Sequence, residues 1–175
     1  MKKCRVCKKE FEPTFTTMQK VCSVTCSIEA AKQKKKKEYS QETRRMKKAL
    51  QDNDRSYQLK KCQEVFNKYI RLRDDSLPCI SCGRHHKGQY HAGHYRTVAA
   101  HPELRFNELN NHKQCAPCNN HLSGNIVEYR INLAKKIGEE KLKWLEGNHQ
   151  SQKYTLDDIK EIKLYYKDKL SELSG

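Results

Sequence analysis

The sequence predicts a mostly helical α+β fold in which an apolar core does only part of the holding. Three observations predict it. Helix formers with apolar residues three and four apart fill most of the chain, and strand signals are few and short. The composition is 35% hydrophobic and 33% charged, with a mean hydropathy of -1.04, a thin supply of core residues. Eight of the nine cysteines fall into four closely spaced pairs, which suits tetrahedral zinc.

At 175 residues the chain allows one ordinary domain, or one compact domain plus a small module. The cysteine pairing, the lysine-rich composition and the lack of a secretory signal favour reduced thiols on zinc over disulfides. No apolar run approaches the ~18 residues of a membrane span, so no membrane partner is expected. The net charge of +15 and pI near 9.4 point to a polyanion, nucleic acid above all. The charge is uneven: residues 1–60 hold 17 Lys/Arg against 7 Asp/Glu, and residues 61–175 hold 19 against 14. No internal repeat is visible.

Residues 1–26 read as a small zinc finger with ligands Cys4, Cys7, Cys22 and Cys26, the two pairs 14 residues apart. Phe11 and Phe15 fall between the pairs and are expected to fill its minimal core. The finger either holds DNA or caps the helix after it. Residues 27–54 are a basic helical linker, with Lys34, Lys35, Lys36 and Lys37 as candidate DNA contacts. Fully helical, the linker would span about 40 Å; disorder is the alternative, since lysine runs repel one another.

Residues 55–175 form the third part. Ser56 to Asp74 has an amphipathic pattern, with Leu59, Cys62, Val65, Phe66, Tyr69, Ile70 and Arg73 on helical spacing; Cys62 reads as a small core residue. Asp74 to Pro78 ends the helix. Asn125 to Ile137 and Glu139 to Glu146 read as helices stopped by Gly138 and Gly147, with Trp144 in the core. Thr155 is placed to cap a last helix, with Ile159, Ile162, Tyr166, Leu170 and Leu173 on one face.

The stretch from Cys79 to Gly124 carries the chemistry. It holds seven of the eight histidines in 46 residues. Cys79, Cys82, Cys115 and Cys118 form a second Cys₄ zinc set, but 32 residues separate its halves, so something is folded inside the loop. The loop contains His91-Ala-Gly-His94 and Asn110, and Asn119-Asn120-His121 comes directly after the last cysteine.

That order of His, Asn and Asn/His behind a Cys-x-x-Cys resembles the HNH endonucleases, with their ββα-metal core. More narrowly, AGHYRT, LRFNE, HKQC and CN-x-H-x-SGN resemble the NinG (Rap) recombination proteins of lambda-like phages, over most of the chain. The resemblance implies a zinc-stabilised HNH core and a structure-specific endonuclease acting on Holliday junctions and D-loops, encoded by a phage or prophage and working in the cytoplasm of the bacterial host. It makes His94 the general base. Asn110 braces the loop or orients His94 through a hydrogen bond. His91, Asn119 and His121 are candidate ligands for a catalytic Mg²⁺ or Mn²⁺. Gly93 stands where many HNH enzymes have Asp, and His91 is the substitute. Arg96, Arg105 and Lys113 are candidate DNA contacts. Expected partners are branched DNA and phage or host recombination proteins, and a homodimer would suit opposed cuts. The competing readings are a non-catalytic zinc-finger nucleic-acid-binding protein and an HNH nuclease acting on linear duplex.

Overall fold

The computed structural model describes residues 1–174, and the chain divides into two compact units, Met1–Asp52 and Asn53–Gly175. The first unit starts with a two-stranded antiparallel hairpin, β1 (Lys2–Lys3) and β2 (Glu10–Phe11), and continues into α1 (Val24–Asn53). Ser23 caps α1 by accepting the Cys26 N–H at 3.2 Å. The helix buries none of its residues. Ala, Lys, Gln and Glu sustain it by local propensity, the cap and exposed pairs such as Lys34–Glu38 at 3.7 Å.

In the second unit, α2 (Arg55–Arg73) is capped by Asp54, whose side chain accepts the Tyr57 N–H. Two strands, β3 (Tyr90–His94) and β4 (Asn111–Cys115), pair antiparallel. Their register sets His91 opposite Gln114, Gly93 opposite His112 and His94 opposite Asn111. Three helices complete the unit: α3 (Ile126–Ile137), α4 (Glu139–Glu146) and α5 (Leu156–Ser174). Thr155 and Asp158 cap α5 reciprocally, at 2.7 and 3.2 Å.

Two apolar clusters lie around the β3–β4 hairpin. Cys62, Phe66, Tyr69 and Ile70 of α2 meet Phe106 and, from α5, Ile159 and Tyr166, with Ala92 of β3 against them. Phe66 meets Phe106 and Tyr166 edge-on at 5.6 and 4.7 Å. Ile80, Tyr95, Leu104, Tyr129, Leu133, Leu142 and Leu145 form the other cluster. Cys62 is fully buried, the core residue its place in the stripe predicts.

Three expectations about packing are corrected. Trp144 is 49% exposed, because Leu142 and Leu145 take the inward face of α4 and the indole meets His149 edge-on instead. Leu173 is also largely exposed, because it lies beyond the part of α5 that packs on α2. Phe15 is 86% exposed, because the first unit has no apolar core to receive it: of its described residues only Cys4 is buried.

The two cysteine modules share one backbone design. Cys4 N–H bonds Lys9 O at 2.8 Å, and Cys79 N–H bonds Arg84 O at 3.0 Å. Lys8 N–H returns to Cys4 O, as Gly83 N–H does to Cys79 O. Arg5 N–H reaches Lys20 O, and Ile80 N–H reaches Lys113 O. Cys22 N–H points at Cys4 Sγ at 3.4 Å, and Cys115 N–H at Cys79 Sγ at 3.3 Å. Lys8 and Gly83 occupy the same left-handed turn position, at φ 64° and 67°. The chain therefore uses one knuckle twice, although its sequence shows no repeat: the motif is made by main-chain bonds that almost any side chain permits.

Candidate active site and metal centres

Each Cys₄ set is gathered from a knuckle and the entry to a helical turn, and its four sulfurs lie within 4.8 Å of one another. Observed Sγ separations are 3.5 Å for Cys7–Cys22, 3.6 Å for Cys22–Cys26 and 3.9 Å for Cys82–Cys115. A zinc tetrahedron with Zn–S near 2.3 Å has edges of about 3.8 Å, far from the ~2.05 Å of a disulfide. Both sets therefore fit zinc. They are the only such gatherings of His, Cys, Asp or Glu among the described residues. His86, given no role from the sequence, stands with Nε2 3.1 Å from Cys82 Sγ, and its N–H donates to the Tyr90 hydroxyl. It is placed to steady the Cys82 thiolate.

His94 ends β3. Its Nε2 lies 3.1 Å from Arg105 O. A carbonyl can only accept, so Nε2 carries the proton and the neutral ring has its lone pair on Nδ1. Burial pushes the His94 pKa below its ordinary value; the Arg105 carbonyl opposes this and the Arg105 charge reinforces it. The ring is therefore neutral at pH 7.

Asn110 is fully buried and acts on the loop, not on His94. Its Oδ1 accepts Arg96 N–H at 2.7 Å, and its Nδ2 donates to Arg96 O and Leu104 O at 3.0 and 3.1 Å. Its carbonyl takes Tyr95 N–H. Asn110 thus staples residues 95–110, the connection between the two strands. The group nearer His94 is its ladder partner Asn111, which the sequence does not single out. Asn111 Nδ2 reaches the same Arg105 carbonyl at 3.4 Å, and its Oδ1 is buried without a partner.

His91 and His94 are three apart on one strand, so they fall on opposite faces. His91 shares a face with Gly93 and Gln114. Its Nε2 is buried and unpartnered, an orphan that a metal ion would satisfy. Asn119 and His121 lie in a wide helical turn, Pro117–His121, directly after β4. Asn119 is half-buried and bonds only Asn120, whereas His121 is exposed.

Two candidate DNA contacts are engaged elsewhere. Arg96 donates to Leu145 O and Glu146 O and holds His101, so its guanidinium closes the end of α4. Lys113 is buried; its Nζ donates to Asp75 O at 2.6 Å and lies 4.4 Å from the Tyr90 ring centre. In the structure both serve as structural cations. Arg105 stays at the site: its Nε bonds Gln63, in a groove shared with Lys60 and Asn67 of α2. Lys34, Lys35, Lys36 and Lys37 are exposed on α1.

Beneath the hairpin lies a charged knot that the sequence does not disclose. Arg73, Lys136 and the Lys113 N–H all bond the Asp74 carboxylate, and His112 lies against it. Burial alone would raise the Asp74 carboxyl; His112, Arg73 and Lys136 outweigh it and hold it well below the usual carboxylate range.

No solved structure matches the chain. The family model described as "Bacteriophage Lambda NinG protein" matches residues 1–175. Protein ninG of Escherichia phage lambda is 42% identical over 183 residues, covering 95% of this chain and 89% of that protein. Protein ninG of Escherichia phage 933W is 40% identical, covering 98% and 93%. Protein ninG of Salmonella phage P22 is 40% identical, covering 95% and 90%. With a family model matched from end to end and relatives matched over nearly their whole length, the chain belongs to the NinG family.

Proposed function

We propose that the protein is a metal-dependent endonuclease of the HNH type that hydrolyses branched DNA, Holliday junctions and D-loops, during phage recombination in the host cytoplasm. The observation that carries this reading is the state of His94: a neutral imidazole at a strand end, its Nε2–H committed to a carbonyl and its Nδ1 free to take a proton. In the proposed step Nδ1 removes the proton from a water attacking phosphorus, and the leaving oxygen departs opposite. Asn110 and Asn111 hold the loop and the carbonyl that fix the ring. Arg105 is the cation beside the base and would meet a phosphate oxygen. A divalent ion, Mg²⁺ or Mn²⁺, would neutralise charge on the phosphate and the leaving oxygen. His91, with its orphaned Nε2 on the face of Gly93, is the best-supported ligand, and Asn119 and His121 are the others. The preference for branched over plain duplex rests on the resemblance of AGHYRT and its companion motifs.

The test is single-turnover cutting and binding of a labelled four-way junction, with matched linear duplex, across a metal titration. His94→Ala should lose roughly 10²–10⁴-fold in rate and bind near wild type. Asn119→Ala should recover in part at raised Mn²⁺. If His94→Ala cuts at the wild-type rate while holding two zinc ions, the HNH assignment is wrong and another residue supplies the base; if wild type does not cut at all, the non-catalytic zinc-finger reading becomes the better one. Equal cutting of linear duplex would replace the branched substrate.

A further inference from the structure

The first unit displays apolar side chains that its folding does not use. Phe15, at 86% exposed, and Met18, at 82%, stand on one loop between β2 and α1. The loop is built to be stiff. Thr14 N–H and Phe15 N–H both donate to Gln19 Oε1, at 3.0 and 3.2 Å. Gln19 Nε2 donates onward to Val21 O at 2.8 Å, and Gln19 N–H closes the turn on Thr16 O at 3.0 Å. The Lys2 ammonium bonds Thr17 O across the base of the loop. A buried role for the ring is absent, yet these contacts hold its backbone still.

Cations flank this loop. A groove of about 570 Å³ beside it is lined by Lys2, Lys3, Arg5 and Lys20, with Met18. Residues 1–26 carry six Lys/Arg and two Asp/Glu. A rigid exposed aromatic next to a positive groove fits a base that has left its stack, with the adjoining phosphates on the cations. An intact duplex offers the cations the same phosphates but offers the ring no open face.

We propose that Phe15, seconded by Met18, is a stacking wedge that recognises an unpaired base in DNA. This rests on nucleic acid being the partner of the chain, and it assigns to the first unit the detection of broken base pairing, separately from cutting at His94.

The test uses the full zinc-loaded chain and three labelled DNAs: a perfect duplex, the same duplex with a single-nucleotide bulge, and the bulged form with 2-aminopurine at the unpaired position. Wild type should prefer the bulged DNA and change the 2-aminopurine fluorescence. Phe15→Ala should lose roughly 5- to 150-fold in bulge affinity and stay within about twofold of wild type on perfect duplex. Phe15→Trp should retain the preference. Because the ring is exposed, both variants should keep two zinc ions and the wild-type unfolding curve. Unchanged bulge affinity in Phe15→Ala overturns the proposal, and the endonuclease reading stands if junction cutting persists. Wild type binding none of these DNAs overturns the wedge, and wild type that binds no four-way junction either overturns both. Unchanged DNA binding with altered self-association would make the patch a protein interface instead.

Discussion

Replacing Asp74 with Asn should destabilise the second unit more than any exposed substitution. In the folded chain one carboxylate oxygen meets Arg73 Nε at 3.0 Å and Lys136 Nζ at 2.9 Å. The other meets Arg73 Nη2 at 2.9 Å and Lys113 N–H at 3.1 Å. An amide has one acceptor oxygen, so one of these pairs of donors would face an NH₂ group and two cations would lose their counter-charge. Breaking such a buried pair costs about 3–5 kcal/mol. For a unit of this size that is a fall in Tm of roughly 10–20 °C. Urea unfolding with zinc present, followed by circular dichroism, measures it. The pH dependence has a definite sign. The Asp74 carboxyl is lowered in the folded state, so its contribution is complete above the unfolded value near ~3.9 and is lost as pH falls below that. The gap between wild type and Asp74→Asn should therefore be constant above about pH 5 and close below about pH 4. A gap under about 1 kcal/mol at neutral pH, the worth of a surface pair, or one that widens in acid, would refute the reasoning.

Elemental analysis of the reduced protein should return two zinc ions per chain; Cys115→Ser should keep one and unfold the second unit, while Cys22→Ser should keep one and spare it. One zinc or none in wild type would contradict the assignment of two centres. Gly93→Ala should cost about 1–3 kcal/mol, because its Cβ would fall 2.1 Å from Gln114 Oε1 and 3.0 Å from Gln114 Cβ. Part of that should return in a double variant with Gln114→Ala, and purely additive costs would rule out the clash. Deleting residues 1–52 should weaken DNA binding and flatten its salt dependence, since fewer counterions are released; an unchanged slope would make the unit a passive tail.

Local chemistry let the sequence alone determine much of this protein. Three Cys-x-x-Cys spacings and one Cys-x-x-x-Cys point to both metal sets, because two thiols close in the chain need no distant partner to be recognised. A capping residue and glycines mark the later helices: Thr155 starts α5, and Gly138 and Gly147 bound α4. The motifs AGHYRT, LRFNE, HKQC and CN-x-H-x-SGN mark the family, and His94, Asn110 and Asn119 within them mark the proposed site. What the side chains face was settled only by tertiary structure. A sequence cannot say that Arg96 and Lys113 spend their charge on carbonyls of α4 and of Asp75, because those acceptors are 49 and 38 residues away. Nor can it say that Asn110 staples the Arg96 backbone, leaving Arg105 and Asn111 around His94. Strand register put His91 and His94 on opposite faces, and register depends on which strands pair. Phe15 and Trp144 remained outside for the same reason: burial requires an opposing surface, and whether one arrives is decided by the rest of the fold.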